Sequence, residues 1–335
     1  MKKIFIFSVL LISALVLTSC KAEKKDKDIQ LAIDQIEKEA NEVVINEDSV
    51  TFTDADGKSQ TITKKPTRVI SVYNSYTNLW YEAGGKIVGR IESETELNED
   101  AIKDGSLNLV GKTNTTVSPE LLLNANPDLV ILSSSKQGKD LIPQLEQNNI
   151  KYISMEYNGL GDYLKFLKVF SFLNETDNYD KTGKKIIENI ASIISKVPKE
   201  NNPKALLVFG TTKTLKAYLS STANGEMLKY LGVTNIGDSW TKESVTSIDI
   251  NEEYVMSIDP EFIFVQSMSD EAKVKELFEK TYNEKWASLQ AIANKKVIFL
   301  ERDWYHYKPN NEYDKAFLKL AKIIYPTIFE NFELK

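Results

Sequence analysis

Arg68, Arg90 and Arg302 are the only arginines among 42 basic residues. A guanidinium is a planar fork of donors suited to carboxylates and other anionic oxygens. Arg90 and Arg302 each follow a short apolar run, in different halves of the chain, so both are candidates to face an acidic ligand. Arg302 opens the run Arg302-Asp303-Trp304-Tyr305-His306-Tyr307, in which Trp304 and Tyr307 can stack on a large flat or apolar ligand. His306 is the single histidine, and with no nucleophile beside it the ring reads as a polar contact or metal ligand rather than a catalyst. Tyr73, Asn74 and Tyr76 form a second such cluster, and Trp240 and Met268 complete the candidate ligand-binding set.

The same inventory removes whole classes of chemistry. One histidine and one cysteine leave no His-rich or Cys-based metal site and no disulfide framework. The Gly-x-Ser-x-Gly elbow of serine hydrolases is absent, as are the dinucleotide fingerprint and the P-loop. A net charge of −6 gives no basic face for a phosphate backbone, so nucleic acid is not an expected partner. The residues point to binding, without catalysis and without a cofactor of the protein's own.

Those side chains need a scaffold, and the apolar runs supply one. Residues 69–72, 86–88, 129–132 and 152–155, then 205–209, 262–265 and 297–300, are short apolar stretches separated by helical segments, the pattern of parallel strands with crossover helices. Ahead of them, residues 50–53 and 60–63 alternate around Asp54-Ala-Asp-Gly57, a hairpin signal. Between the two sets, residues 161–197 hold no strand-like run, and Ile186, Ile187, Ile190, Ile193, Ile194 and Val197 recur at helical spacing.

The two sets also repeat. Residues 120–132, 69–72 and 153–156 match residues 253–265, 206–209 and 298–301 in layout and order. The expected architecture is α/β: two similar three-layer lobes with mainly parallel sheets, over residues 43–160 and 201–335, joined by a single long helix within residues 161–200. Ligands bind outside the carboxyl ends of parallel strands, so two such edges facing each other make a cleft.

The N-terminus carries a separate signal. Lys2 and Lys3 precede an apolar run over residues 4–17, about 14 residues where a bilayer span needs about 20, so residues 1–19 read as a signal peptide. Its end, Leu17-Thr18-Ser19-Cys20, resembles the lipobox of bacterial lipoproteins, which implies cleavage before Cys20 and acylation of that cysteine. Residues 20–42 then read as a charged tether, with a short helix over 29–41 striped by Leu31, Ile33 and Ile36, and with the folded body starting near Val43. The expected location is the outer face of the cell membrane, on the periplasmic side where the host has an outer membrane.

Taken in order, the lipobox, Pro66-Thr-Arg68-Val-Ile-Ser-Val72 with Ala83-Gly-Gly-Lys-Ile-Val-Gly89, Ser118-Pro-Glu120 leading to Pro127-Asp-Leu-Val-Ile131, and Trp286-Ala-Ser-Leu289 before Lys295-Lys-Val297 resemble the ABC-transporter substrate-binding proteins for ferric siderophores, haem and cobalamin. The similarity spans about residues 45 to 330. It implies a monomer that holds its cargo between two lobes and delivers it to a permease with its ATPase subunits. It also implies that the repeat-related Glu120 and Glu253 engage arginines of that permease. Relatives that take free zinc or manganese use several histidines, so the implied cargo is a ferric siderophore first and haem next. For haem, Tyr73, Tyr76, His306 or Met268 are the candidate axial donors. A corrinoid, or a non-transport role as a surface lipoprotein or adhesin, are the alternatives.

Overall fold

Asp54 sets the first turn: its Oδ1 accepts the N–H groups of Asp56 and Lys58 at 2.9 and 2.8 Å, and Gly57 takes the left-handed conformation that closes it. The flanking segments pair as β1 (Val44–Ile45), β2 (Ser49–Thr53) and β3 (Ser59–Thr63), an antiparallel unit whose alternation turns Val50, Phe52 and Ile62 inward. The computed structural model describes Lys27 and residues 29–200 and 202–335. The expected signal peptide, Cys20 and, apart from Lys27, the charged segment before residue 29 lie outside the described residues. No helix among the described residues is long and apolar enough to cross a membrane.

Leu129-Val-Ile-Leu132 has no polar residue to turn toward water, and it becomes the middle of a sheet covered on both faces. The order is β5-β4-β6-β7, all parallel, from β4 (Val69–Ser71), β5 (Gly89–Arg90), β6 (Leu129–Ser133) and β7 (Lys151–Met155). In the second lobe β8 (Lys204–Gly210), β12 (Phe262–Ser267) and β13 (Val297–Leu300) repeat the β4-β6-β7 arrangement in parallel. Here the sheet gains an antiparallel edge, β9 (Leu215–Tyr218) and β11 (Ser247–Ile248), with the short β10 (Thr234–Asn235) beside β8. Residues 69–72, 120–132 and 153–156 thus meet their expected repeat partners as strands in equivalent places. Asn126 and Asp259, each just before the proline that precedes β6 or β12, share the same left-handed backbone.

Four helices per lobe suffice to place the site. α1 (Lys38–Asn41), α2 (Asn74–Glu82), α3 (Pro119–Asn124) and α4 (Leu160–Leu173) belong to the first lobe. α5 (Lys184–Ile194) leads into the second, which carries α6 (Ala223–Tyr230), α7 (Glu252–Ile258), α8 (Arg302–Tyr305) and α9 (Tyr313–Ile324).

Three expectations need correction. The connection is two helices, not one: α4 ends at Asn174, Glu175 adopts a left-handed backbone, and the chain doubles back so that the Tyr179 N–H donates to Ser171 Oγ and the Lys168 ammonium lies 5.7 Å from the Tyr179 ring. The reason is the polar stretch Asn174-Glu-Thr-Asp-Asn178, whose Thr176 hydroxyl and Asn178 amide donate to the carbonyls of Ala83 and Glu82 instead of continuing a stripe. A π-turn over Tyr179–Gly183 then runs straight into α5. Second, the strand expected over 86–88 lies at Gly89–Arg90, because the Trp80 indole N–H takes the Lys86 carbonyl and pairing with β4 begins only at the Val88 N–H. Third, the tether does not extend to residue 42. Residues 29–41 are helical, and they bury Ala32, Ile36 and Ala40 in the common core while Leu31 faces solvent.

That core joins the lobes. One continuous apolar cluster includes Leu129 and Ile131 of the first sheet, Leu207 and Phe264 of the second, and the buried faces of α4, α5 and α9 between them.

Candidate functional site

β4 delivers its chain to α2 through Tyr73, whose extended backbone caps the helix and places its ring 4.5 Å from that of Tyr76, nearly parallel. The Tyr76 hydroxyl donates to the Met155 carbonyl at 3.2 Å, which fixes the pair against the end of β7. Just past β7, Tyr157 is buried, and its hydroxyl donates across the lobes to Asn310 Oδ1 at 3.0 Å. The opposite wall comes from the second lobe. Phe209 at the end of β8 packs on Tyr218 of β9 at 4.9 Å, Gln266 ends β12, and α8 with the turn after it supplies Trp304, Tyr305, His306 and Tyr307.

Together these residues line a cavity of about 330 Å³ between the carboxyl ends of the two sheets. An adjoining cavity of about 200 Å³ shares Tyr73, Tyr76, Tyr157, His306, Tyr307 and Lys308. The combined space suits a small organic ligand. Aromatic side chains are the largest group in its walls, and its charged residues are Glu156, Lys308 and, in the adjoining cavity, Glu96. Glu156 is exposed at the rim, and Lys308 lies 5.1 Å from the Tyr157 ring, with Asp162 and Glu226 close enough to favour its charge while burial pulls its pKa down. His306 is pushed to about 4, by burial first and then by Arg302 and Lys308, so it is neutral at physiological pH. Burial drives the Tyr76 and Tyr305 phenols upward, so neither is a ready phenolate.

The expected ligand-binding residues divide. Tyr73, Tyr76, Met268, Trp304, His306 and Tyr307 come together around the main cavity, with Met268 half-exposed. Asn74 sits to one side, its amide donating to the Ser93 and Thr95 carbonyls, and lines only a neighbouring depression. Arg90 is turned inward at 3 % exposure: its guanidinium donates to the Ile91 and Glu92 carbonyls and pairs with Glu94 at 2.8 Å, while its Nε is buried without a partner among the described residues, so the side chain faces the protein and lines neither cavity. Arg302 stands behind the wall, 4.7 Å from the Tyr307 ring, donating to the Tyr307 hydroxyl and the Met268 carbonyl. Trp240 is remote from the cavity, in a 3₁₀ turn packed edge-on against Tyr254. Both arginine placements have one cause, a loop with carbonyls to satisfy immediately after the strand.

Several lining residues were not singled out from the sequence. Phe209 closes an apolar run and so had a signal, but Tyr218 belongs to the antiparallel edge, and Asn224, Gln266 and Lys308 have no local pattern. Glu120 and Glu253 are exposed in the first turns of α3 and α7, helices capped by the Ser118 and Asn251 side chains, and neither makes an ion pair among the described residues. Their equivalent places in the two lobes follow from the repeat.

A family model described as periplasmic binding protein matches residues 69–303. The chain is 24% identical to the Fe(3+)-citrate-binding protein YfmC of Bacillus subtilis, covering 97% of this chain and 98% of that one. It is 22% identical to the uncharacterized ABC transporter substrate-binding lipoprotein YvrC of the same organism, over 98% and 99% of the two chains. Its fold is similar to that of S. aureus IsdE complexed with heme, with a TM-score of 0.62 and 22% identity over 77% of this chain and 98% of that one.

Proposed function

The chain belongs to the periplasmic binding protein family, and we propose that it is the solute-binding protein of an ABC importer, capturing a ferric siderophore in the inter-lobe cavity and handing it to a permease. The observation that carries this reading is the aromatic cavity at the facing carboxyl ends of the two sheets. The cargo leaves as it arrives, with no bond made or broken. The relative named for Fe(3+)-citrate supports an iron chelate as the class. Citrate complexes are polyanions, however, and this space offers one lysine, Lys308, against Glu156 and Glu96, with neither candidate arginine lining it. That balance favours a chelate of low net charge, whose apolar and carbonyl surface suits stacking on Tyr73, Tyr307 and Trp304.

Haem is the second reading, supported by the fold shared with a heme complex and by half-exposed Met268 at the rim. Against it, haem brings two carboxylates, and the cavity meets them with one lysine. In this reading Glu120 and Glu253 are the permease-docking pair, and acylated Cys20 holds the protein at the outer face of the membrane.

A fluorescence titration tests the cargo. Of the four tryptophans Trp304 alone lines the cavity, so ferric desferrioxamine B should quench emission saturably, Trp304→Phe should remove most of the quenching, and Trp240→Phe should leave it. Tighter binding of haemin or ferric citrate than of the hydroxamate chelate would reassign the cargo. No saturable quenching by any of them would remove the transport reading.

A further inference from the structure

The cavity wall itself contains a buried chain of polar contacts whose orientation is forced by its one unambiguous member. The Tyr305 carbonyl can only accept, and the amide atom of Asn224 that meets it at 2.8 Å must be the donor Nδ2. The same Nδ2 lies 2.5 Å from Gln266, so the Gln266 atom it meets must be the acceptor Oε1. The other end of Gln266 is then Nε2, a donor, and it faces His306 Nδ1 at 3.4 Å. Asn224 and Gln266 are 2% and 5% exposed, so water does not offer either amide an alternative partner.

From this geometry we propose that Asn224 and Gln266 hold His306 as the Nε2–H tautomer, so that the ring acts as a hydrogen-bond donor to an oxygen of the cargo and not as a ligand to its iron. With Nδ1 accepting from Gln266, the proton of the neutral ring sits on Nε2, the nitrogen left for a ligand, which then has no lone pair to give a metal. The inference rests on the iron-chelate reading and narrows it. The cargo is a chelate that saturates its own metal, presents carbonyl-type oxygens, and needs no donor from this ring. Gln266 is a positioning residue, acting through His306.

His306 being the only histidine, one resonance pair answers the question. In the tag-free chain labelled with ¹⁵N-histidine, Nδ1 should show the shift of an unprotonated ring nitrogen and Nε2 that of an N–H. Addition of the diamagnetic gallium complex of desferrioxamine B should move the Nε2–H signal without deprotonating it. Gln266→Glu replaces the donor by an acceptor and should reverse the tautomer. With folding checked by its melting temperature, that variant should bind ferric desferrioxamine B about tenfold more weakly, as expected for one lost hydrogen bond. His306→Ala should weaken binding by a similar factor and leave the chelate's charge-transfer band where it is. An Nδ1–H tautomer in the free wild-type protein, or a charge-transfer band that moves on binding and reverts in His306→Ala, would overturn the proposal alone. Failure of ferric desferrioxamine B, haemin and ferric citrate all to bind would instead overturn the iron-chelate reading beneath it.

Discussion

Every arginine in this protein donates to backbone carbonyls, and Arg90 and Arg302 also bond the side chains of Glu94 and Tyr307. Arg68 donates to the Ala125 and Asn126 carbonyls, Arg90 to Ile91 and Glu92, and Arg302 to Met268. Arg68 precedes β4, whereas Arg90 and Arg302, the two candidates for an anion site, lie at or just beyond strand ends, where a sequence cannot tell a structural contact from a ligand contact. The aromatic residues were easier to place, since Tyr73, Tyr76 and Trp304 each follow an apolar run that ends at the cleft edge. Glu82 carries a consequence of its own. Burial pushes its carboxyl to about 7, while the Tyr163 hydroxyl donates to it. A carboxyl whose folded pKa lies above its unfolded value binds a proton on folding. Its stabilising protonated form is fully present below about pH 4.5 and is lost as pH rises toward 7. Glu82→Gln keeps an acceptor for Tyr163 and abolishes the titration. It should raise the melting temperature by a few degrees at pH 8 and change it little at pH 4.5, as thermal unfolding at the two pH values will show.

At the scale of elements, the repeat explains more than any motif. The β4-β6-β7 and β8-β12-β13 units are legible because each strand is built on an apolar run, buried on both faces in all but the edge strand β13, and the helix-proline-strand order is preserved between them. β9 was not legible. Leu-Lys-Ala-Tyr is a four-residue strand whose antiparallel place on β8 is fixed only by tertiary pairing. The break between α4 and α5 was missed for a different reason, since isoleucine spacing fixes a helical face but not where the chain reverses. The paired helices α3 and α7 present Glu120 and Glu253 on corresponding surfaces of the lobes. Removing both carboxylates should leave the affinity for ferric desferrioxamine B unchanged and cut its uptake into cells severely, with each single variant showing a partial defect. Normal transport by the double Glu120→Ala, Glu253→Ala variant would dismiss them as docking residues.

Across the whole molecule, the shared core limits how the lobes can move. Separating them would expose apolar surface of α4, α5 and α9, at a cost of roughly 25 cal/mol for each Å² opened. Tyr157 bonding to Asn310, and the Glu226 carboxylate of α6 accepting the Leu160 N–H at the start of α4, tie the lobes further. The radius of gyration from small-angle scattering should therefore match with and without bound chelate. A contraction on binding of the size that hinged, clamshell-type receptors undergo would show that the shared core does not act as a brace. The N-terminal helix has a different bearing on the whole. A connection running from residue 20 to 42 could stretch to roughly 75 Å, but with residues 29–41 packed on the body only nine residues separate position 20 from the packed helix, a contour of at most about 30 Å. If Cys20 is acylated as proposed, a receptor on so short a connection would stay within a thin shell above the bilayer. Its encounters with a permease would then be governed by diffusion in the plane of the membrane, with the local concentration raised by confinement to that thin layer.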